Sequence, residues 1–545
     1  MNKSIIFLLI VLLSFSGCMN KDNTKLSRPK LVVGIVIDQM RWDYLYRYYD
    51  LYGNDGFKRM MDSGFNCENT MLNYLPEFTG PGHSCIYTGS VPSIHGIAAN
   101  DWKDNLSGRM WYCVEDTTVH GIGSDSVTGP SMSPRNLLTT TVTDELRLAT
   151  NLRSRVYGVA IKDRGSILPA GHLANAAYWY DDKTGYFVSS SYYANPDPQW
   201  LKDFNKRKLA DSLVKQNWKL LYSPDMYIQS LTDANAYEGN LKGEKAPVFP
   251  HIVDTLPEAD KYNILKTLPA GNTLTFDMAR ACINGEQLGQ QKNCDFLCVS
   301  LSSTDYAGHL FAPNSIEVED MYLRLDKEIA AFLDYLDNTV GRGNYTVFLT
   351  ADHGAAHNAK FLTDLDVPAG SLSGDMQADL NSYLKKEFNK DSIIDVIMNY
   401  QIYLNNTLIN SANLDKEKVK TAIREWMGKR PEVEYLVDLE DVNKTPLPQP
   451  IHDMVINGYY RLRSGSMQII PAPEWYDNNK PTGTTHGTWN PYDSHIPLLW
   501  YGWHIPKGET HRTVYMTDIA PTVSALLNIQ MPNGCVGKVI TEIVK

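Results

Sequence analysis

The 545-residue chain is poor in positive charge: 51 Lys and Arg stand against 62 Asp and Glu, a formal net charge of −11 at pH 7. Such a balance gives no general attraction for nucleic acid, which we exclude as a partner, and any bound anion must meet positive charge concentrated locally. Long apolar runs are also scarce. The run Ile5–Leu13, with Lys3 before it and Ser14, Ser16 and Gly17 after it, is too short to span a bilayer with ease and has the layout of an export signal. We expect residues 1–20 to be a signal peptide and the mature chain to be periplasmic, either released or held at the membrane by a lipid on Cys18. Nothing later is apolar for long enough to cross a membrane. Cysteine is sparse as well. Beyond Cys18 there are seven (Cys67, Cys85, Cys113, Cys282, Cys294, Cys298 and Cys535), an odd number without zinc-knuckle spacing, so their expected role is structural. Internal repeats and low-complexity tracts are lacking.

What is present is an ordinary globular composition, 43% hydrophobic and 21% charged, able to bury a large core. Short β-branched runs recur, each ending in polar residues: Leu31–Ile37 before Asp38, Val156–Ile161 before Lys162, Phe296–Leu301 before Asp305, Tyr345–Leu349 before Asp352, and Ile496–Tyr501. Unbroken apolar runs of this length suit strands buried on both faces, as in a parallel sheet covered by helices. Between them lie helical patterns such as Asp320–Leu336, where Leu325, Ile329, Phe332 and Leu336 share one face. The expected class is α/β, with sites at the carboxyl ends of the strands. Stretches at about 175–290 and about 360–475 read as insertions in a single domain spanning 21–545, because candidate site residues flank both.

Those candidates are strong acids and histidines just past the strands: Asp38 in Val-Ile-Asp-Gln-Met, Asp305 and His309 in Thr-Asp-Tyr-Ala-Gly-His, Asp352 and His353 in Thr-Ala-Asp-His-Gly, and His486 in Thr-Thr-His-Gly-Thr. Imidazole nitrogens and carboxylate oxygens are zinc donors, and six of them make two sets of three, each leaving a coordination position open. Two metals about 4 Å apart can hold the attacking and leaving oxygens of an in-line displacement. No single motif is specific; their joint occurrence on strand ends carries the reading. Thr79 precedes Gly80-Pro81-Gly82, a composition suited to a tight turn into a helix. That placement aims its hydroxyl, and the N–H groups behind it, at a phosphate. The competing role for Thr79 is a helix N-cap.

The set Asp38, Thr79, Asp305, His309, Asp352, His353 and His486 resembles the alkaline phosphatase superfamily, as do Tyr87-Thr-Gly-Ser-Val-Pro-Ser-Ile-His-Gly-Ile97 and Thr517-Asp-Ile-Ala-Pro-Thr522. The likeness runs from about Leu31 to the C-terminus. It implies a central, mostly parallel sheet flanked by helices with inserted cap segments. It implies two Zn2+, one on Asp305, His309 and His486, the other on Asp38, Asp352 and His353, with Thr79 also at the metals. It further implies a phosphothreonine intermediate on Thr79, hydrolysed by water. The same ligands accept Mn or Co.

Threonine followed by Gly-Pro-Gly, and Asn100 in Ala-Ala-Asn-Asp-Trp, resemble the nucleotide pyrophosphatase/phosphodiesterase branch. A monoester, however, is a dianion and needs further donors where a diesterase has an apolar pocket. Lys162 and Arg164 follow the strand Val156–Ile161, and alternation places both cations on one side. The competing role is a solvated loop paired with Asp163. With Thr79 and Asn100, they resemble the phosphate-irrepressible alkaline phosphatases of flavobacterial type, which implies that Asn100, Lys162 and Arg164 bind the phosphoryl oxygens of small monoesters. The rivals are a phosphodiesterase or nucleotide pyrophosphatase, and an exported phosphoglycan-binding protein with structural metals. A sulfatase lacks support, since Cys-X-Pro-X-Arg is missing. His83, His95, His172, His357 and His495 are expected beside the site or in the core, not as ligands.

Overall fold

The computed structural model describes residues 27–123, 131–372, 374–478 and 480–544. The expected signal peptide and Cys18 lie outside them. A ten-stranded sheet is built from β1 (Leu31–Ile37), β2 (Phe65–Cys67), β3 (Gly121–Ile122), β4 (Val156–Ala160), β5 (Ala176–Asp181), β6 (Tyr186–Ser190), β7 (Asp295–Leu301), β8 (Tyr345–Thr350), β9 (Leu498–Gly502) and β10 (Gly508–Thr510), in the order β10-β2-β9-β8-β1-β7-β4-β5-β6-β3. The five central strands β8, β1, β7, β4 and β5 run parallel. The last of the apolar runs read from the sequence, β9, joins antiparallel to β8.

The apolar runs become strands because both faces are covered: every residue of β1, β4, β7 and β8 is buried. The covering helices include α1 (Thr79–Thr88), α2 (Asp163–Ala170), α3 (Pro269–Glu286), α4 (Ser303–Phe311) and α5 (Ile316–Leu336). The last contains the Leu325, Ile329, Phe332 and Leu336 stripe, all buried, and starts earlier than the stripe because Ser315 caps it by accepting from Val318 N.

Both stretches outside the strand pattern have distinct fates. Within 175–290, β5 and β6 extend the central sheet and α3 packs on it, while the middle wraps α5, with Trp218 Nε1 donating to Asp320 Oδ2 at 2.6 Å. Within 360–475 lies a separate four-stranded sheet (Ile394–Met398, Gln401–Leu404, Met467–Pro471, Val433–Asp438) with its own core around Leu380, Ile402, Ile423 and Ile469. The seven described cysteines are all free thiols. Among the described residues, no helix is long and apolar enough to cross a membrane.

Candidate metal centre

Strand register sets the site. Ile37 pairs with Leu301, Val36 with Thr350 and Ser300 with Ala160, so four neighbouring parallel strands end level. The residues just past them are Asp352 and His353, then Asp38, then Asp305 and His309 on α4, then Lys162 and Arg164 at the start of α2. His486 reaches the same edge from the segment before β9. Asp38, Asp305, Asp352, His353 and His486 are all buried.

The three histidines are held alike. Nδ1 of His353 lies 3.0 Å from the Gly354 carbonyl, Nδ1 of His309 2.9 Å from the Thr484 carbonyl, and Nδ1 of His486 2.7 Å from the Glu77 carbonyl. A carbonyl only accepts, so each Nδ1 carries the proton and each Nε2 presents a lone pair to the centre. His353 Nε2 lies 3.6 Å from both Asp38 Oδ1 and Asp352 Oδ2, and His309 Nε2 3.2 Å from Asp305 Oδ1. The His353 and His486 rings stack with centroids 3.5 Å apart.

Asp38 Oδ1 and His353 Nε2 are buried without a hydrogen bond, and Asp38 Oδ2 and Asp352 Oδ2 meet only Lys162 Nζ at 2.8 Å and His83 Nδ1 at 3.2 Å. Orphaned donors of this kind are costly unless a cation takes them. Donor atoms lie within 4.8 Å of one another in two groups, Asp38 with Asp352 and His353, and Asp305 with His353 and His486. His353 belongs to both groups, and His309 stands beside the second through Asp305. The donor chemistry and the orphaned atoms fit two divalent cations.

Electrostatics agree. Burial, reinforced by Asp352, pushes the Asp38 carboxyl well above the usual carboxylate range. Burial opposes ionisation of Asp305 too, but His309 and Lys162 outweigh it and hold that carboxyl well below. Burial, with His353 and His309 beside it, keeps His486 neutral. With three acidic groups crowded together, Asp38 is disfavoured as an anion, and a bound cation would relieve that penalty.

Thr79 departs from the turn expected of it. It is the first residue of α1, Gly80-Pro81-Gly82 lies inside the helix, and the N-cap is Phe78. Pro81 fits there because an N–H in the first turn has no intrahelical acceptor. Gly82 is required by proximity: a Cβ would come within 2.6 Å of the Asp352 carbonyl oxygen. The Gly80 N–H is not free for a phosphate, since it donates to Asn100 Oδ1 at 2.8 Å. Lys162 and Arg164 likewise sit on the helix start, not on an alternating strand, because β4 ends at Ala160 and Lys162 is the N-cap of α2. Nor do they form a solvated loop. Lys162 Nζ lies 2.8 Å from Asp38 Oδ2, 2.5 Å from Asp305 Oδ2 and 3.4 Å from Thr79 Oγ1. Arg164 Nη1 donates to the Tyr112 hydroxyl at 3.1 Å, which donates to Asp163 Oδ1 at 2.5 Å.

Several participants were not read from the sequence. Gln39 adopts a positive φ of 66°, donates its backbone N–H to Asp352 Oδ1 and its side-chain amide to Asp305 Oδ1. Its adjacency to Asp38 was the available signal. Tyr112 gave none, since it lies on a distant hairpin strand, Met110–Tyr112. His83, expected near the site, lies with Nδ1 3.2 Å from Asp352 Oδ2 and Nε2 2.8 Å from Ser300 Oγ. His95 is in the core, 3.3 Å from Cys85 Sγ, and His172 meets Asp144.

Comparison with known proteins matches residues 32–493 to the family described as type I phosphodiesterase / nucleotide pyrophosphatase. The chain is 51% identical to alkaline phosphatase PhoV of Synechococcus elongatus, covering 95% of this chain and 94% of that protein. It is 48% identical to alkaline phosphatase PafA of Elizabethkingia meningoseptica over 98% of both. A crystal structure of wild-type PafA superposes with a TM-score of 0.93 at 49% identity, covering 95% of this chain and 99% of that one. The chain therefore belongs to the type I phosphodiesterase / nucleotide pyrophosphatase family, and within it to the alkaline phosphatases of the PafA and PhoV kind.

Proposed function

We propose that this protein is an alkaline phosphatase that hydrolyses small phosphate monoesters to phosphate and alcohol through a phosphothreonine on Thr79. The observation that carries the reading is the Lys162 ammonium 3.4 Å from Thr79 Oγ1, with Arg164 two residues on and Asn100 against the Thr79–Gly80 backbone. A monoester dianion needs such charge beside the nucleophile, whereas a diester carries a single charge and a second organic group.

Two Zn2+, when bound, supply the Lewis acidity that lowers the pKa of a hydroxyl and stabilises negative charge on oxygen. Asp38, Asp352 and His353 would hold one, and Asp305, His309 and His486 the other. Thr79 Oγ1 gives up its proton and attacks phosphorus, the P–O bond to the alcohol breaks, and the alkoxide takes up a proton and leaves as the alcohol. Water then loses a proton and attacks the same phosphorus, the Thr79 Oγ1–P bond breaks, Thr79 Oγ1 regains a proton, and phosphate is released. Throughout, Lys162 contributes a point charge, Arg164 a planar fork and Asn100 a side-chain amide to the phosphoryl oxygens. Broad leaving-group tolerance and an exported, periplasmic location complete the reading.

The test compares p-nitrophenyl phosphate with bis-p-nitrophenyl phosphate at alkaline pH, on zinc-loaded and chelator-treated protein. A large zinc-dependent preference for the monoester is expected. Each cation contributes about 2 kcal/mol, so Lys162→Ala or Arg164→Ala costs roughly 30-fold in monoesterase kcat/KM. A preference for the diester, or full monoesterase activity in the double variant, sinks the assignment.

A further inference from the structure

His83 stands wholly buried on α1, four residues after Thr79 and outside both proposed metal spheres. Its Nδ1 lies 2.9 Å from the Thr79 carbonyl oxygen and 3.2 Å from Asp352 Oδ2. Both oxygens are acceptors, so Nδ1 carries the proton and faces the backbone of the nucleophile and a carboxylate of the metal centre together. The other ring nitrogen, Nε2, lies 2.8 Å from Ser300 Oγ on β7. A hydroxyl rotates to suit its partner, so Ser300 donates to Nε2 and holds the ring in the Nδ1–H form.

The surroundings leave room for this bridge. At Gly165 a Cβ would stand 2.8 Å from Ser300 Oγ, and at Gly82 one would stand 2.6 Å from the Asp352 carbonyl oxygen. Gly165 directly follows Arg164 on α2, so Ser300 lies under the turn that carries a cation proposed to bind the phosphoryl group. A side chain that only filled the core would be apolar here, since a buried polar ring costs free energy unless its nitrogens are partnered. Both nitrogens of His83 have partners, and on the Nδ1 side they are Thr79 and Asp352.

We propose that His83 is a positioning residue for phosphoryl transfer: its Nδ1–H fixes the Thr79 backbone against Asp352 Oδ2, and Ser300 sets the tautomer. The proposal rests on Thr79 being the nucleophile. Thr79 Oγ1 and the carbonyl held by His83 belong to one residue, so a ring that lets the carbonyl drift also lets the hydroxyl drift. Asp352 moves with it, because the same N–H faces both oxygens. A misplacement of about 1 Å costs on the order of 100-fold in rate, and loss of a partner that orients a metal-binding carboxylate costs about 10- to 100-fold in affinity.

The test uses three replacements. Asn keeps an amide nitrogen where Nδ1 stands, Gln reaches only the Nε2 position, and Leu supplies neither. Hydrolysis of p-nitrophenyl phosphate at saturating zinc is measured for His83→Asn, His83→Gln and His83→Leu, with zinc retention against a chromophoric chelator and urea midpoints alongside. In His83→Gln and His83→Leu, kcat should fall about 100-fold with KM within a few-fold, and zinc should be held about 10- to 100-fold less tightly. His83→Asn should recover to within about tenfold of wild type on both readouts. A packing role gives the opposite order, because Asn fills least of the cavity. That order, or wild-type kcat in His83→Gln and His83→Leu, overturns the proposal. Where those two variants do not fold, Ser300→Ala decides: a kcat loss of roughly fivefold supports the bridge, and an unchanged kcat overturns it. Acid-quenched wild type without phosphate on Thr79 removes the nucleophile reading and this proposal with it, a result obtained before any variant is compared.

Discussion

The Gln39 side-chain amide donates to Asp305 Oδ1 at 2.8 Å, and the Gln39 backbone N–H reaches Asp352 Oδ1 at 3.2 Å. One residue therefore orients carboxylates proposed to serve different metals. Room for it comes from Gly308, where a Cβ would stand 1.9 Å from Gln39 Oε1. Gln39→Ala is expected to weaken zinc retention about 10- to 100-fold, and Gly308→Ala to shift it the same way. Competition with a chromophoric chelator measures both. Unchanged affinity in the two variants would reduce the contact to packing.

Thr79→Ala should abolish turnover, by about a thousandfold or more, while leaving metal content unchanged. Thr79→Ser keeps a hydroxyl and should retain part of the rate. Acid quenching during turnover, followed by peptide mass spectrometry, should find phosphate on the peptide containing Thr79 in wild type. Its absence there, with turnover intact in Thr79→Ala, would point to direct attack by water.

Tyr112 acts through Arg164, accepting from Nη1 at 3.1 Å while bonding Asp163. Tyr112→Phe removes about 1 kcal/mol of positioning, and monoesterase kcat/KM should fall roughly fivefold. Diester turnover should barely change, because a diester makes less use of the guanidinium. Equal losses on both substrates would mean that the ring packs the site and the hydroxyl is incidental.

Acid should weaken the fold between pH 6.5 and 3. Burial, with Arg463 nearby, pushes wholly buried His95 down to about 3, and its Nδ1 accepts from Ile97 N at 3.1 Å. Burial and Arg41 push His357 down to about 3 as well. The unfolded chain takes up protons on these rings below pH 6.5 and the folded chain does not, so stability is present above 6.5 and lost as pH falls. His95 alone accounts for roughly 2 kcal/mol by pH 5. Urea midpoints across this range should fall more steeply in wild type than in His95→Gln, and parallel curves would contradict the assignment.

The central sheet was legible because β1, β4, β7 and β8 are buried on both faces and so read as unbroken apolar runs. The short strands β2, β3 and β10 were not, since two or three residues leave no periodicity. The residues Asp38, Asp305, Asp352 and His353 showed themselves through strand ends and residue type. Tyr112 and Gln39 stayed hidden for physical reasons. A contact between Tyr112 and Arg164 spans 52 residues, and the role of Gln39 rests on a positive φ that sequence does not display. The start of α1 at Thr79 was misread because Gly-Pro-Gly signals a turn by propensity, while close packing of Gly82 on Asp352 and the N1–N3 tolerance for proline make it helical.

Level strand ends gather the centre from positions as far apart as Asp38 and His486. On the proposed ligand sets, the sphere of Asp38, Asp352 and His353 is complete well before the chain ends, whereas the one that needs His486 must wait for the last part of the chain to dock. Occupancy of that later sphere, compared with the earlier one, would then gauge how much of a preparation has finished folding.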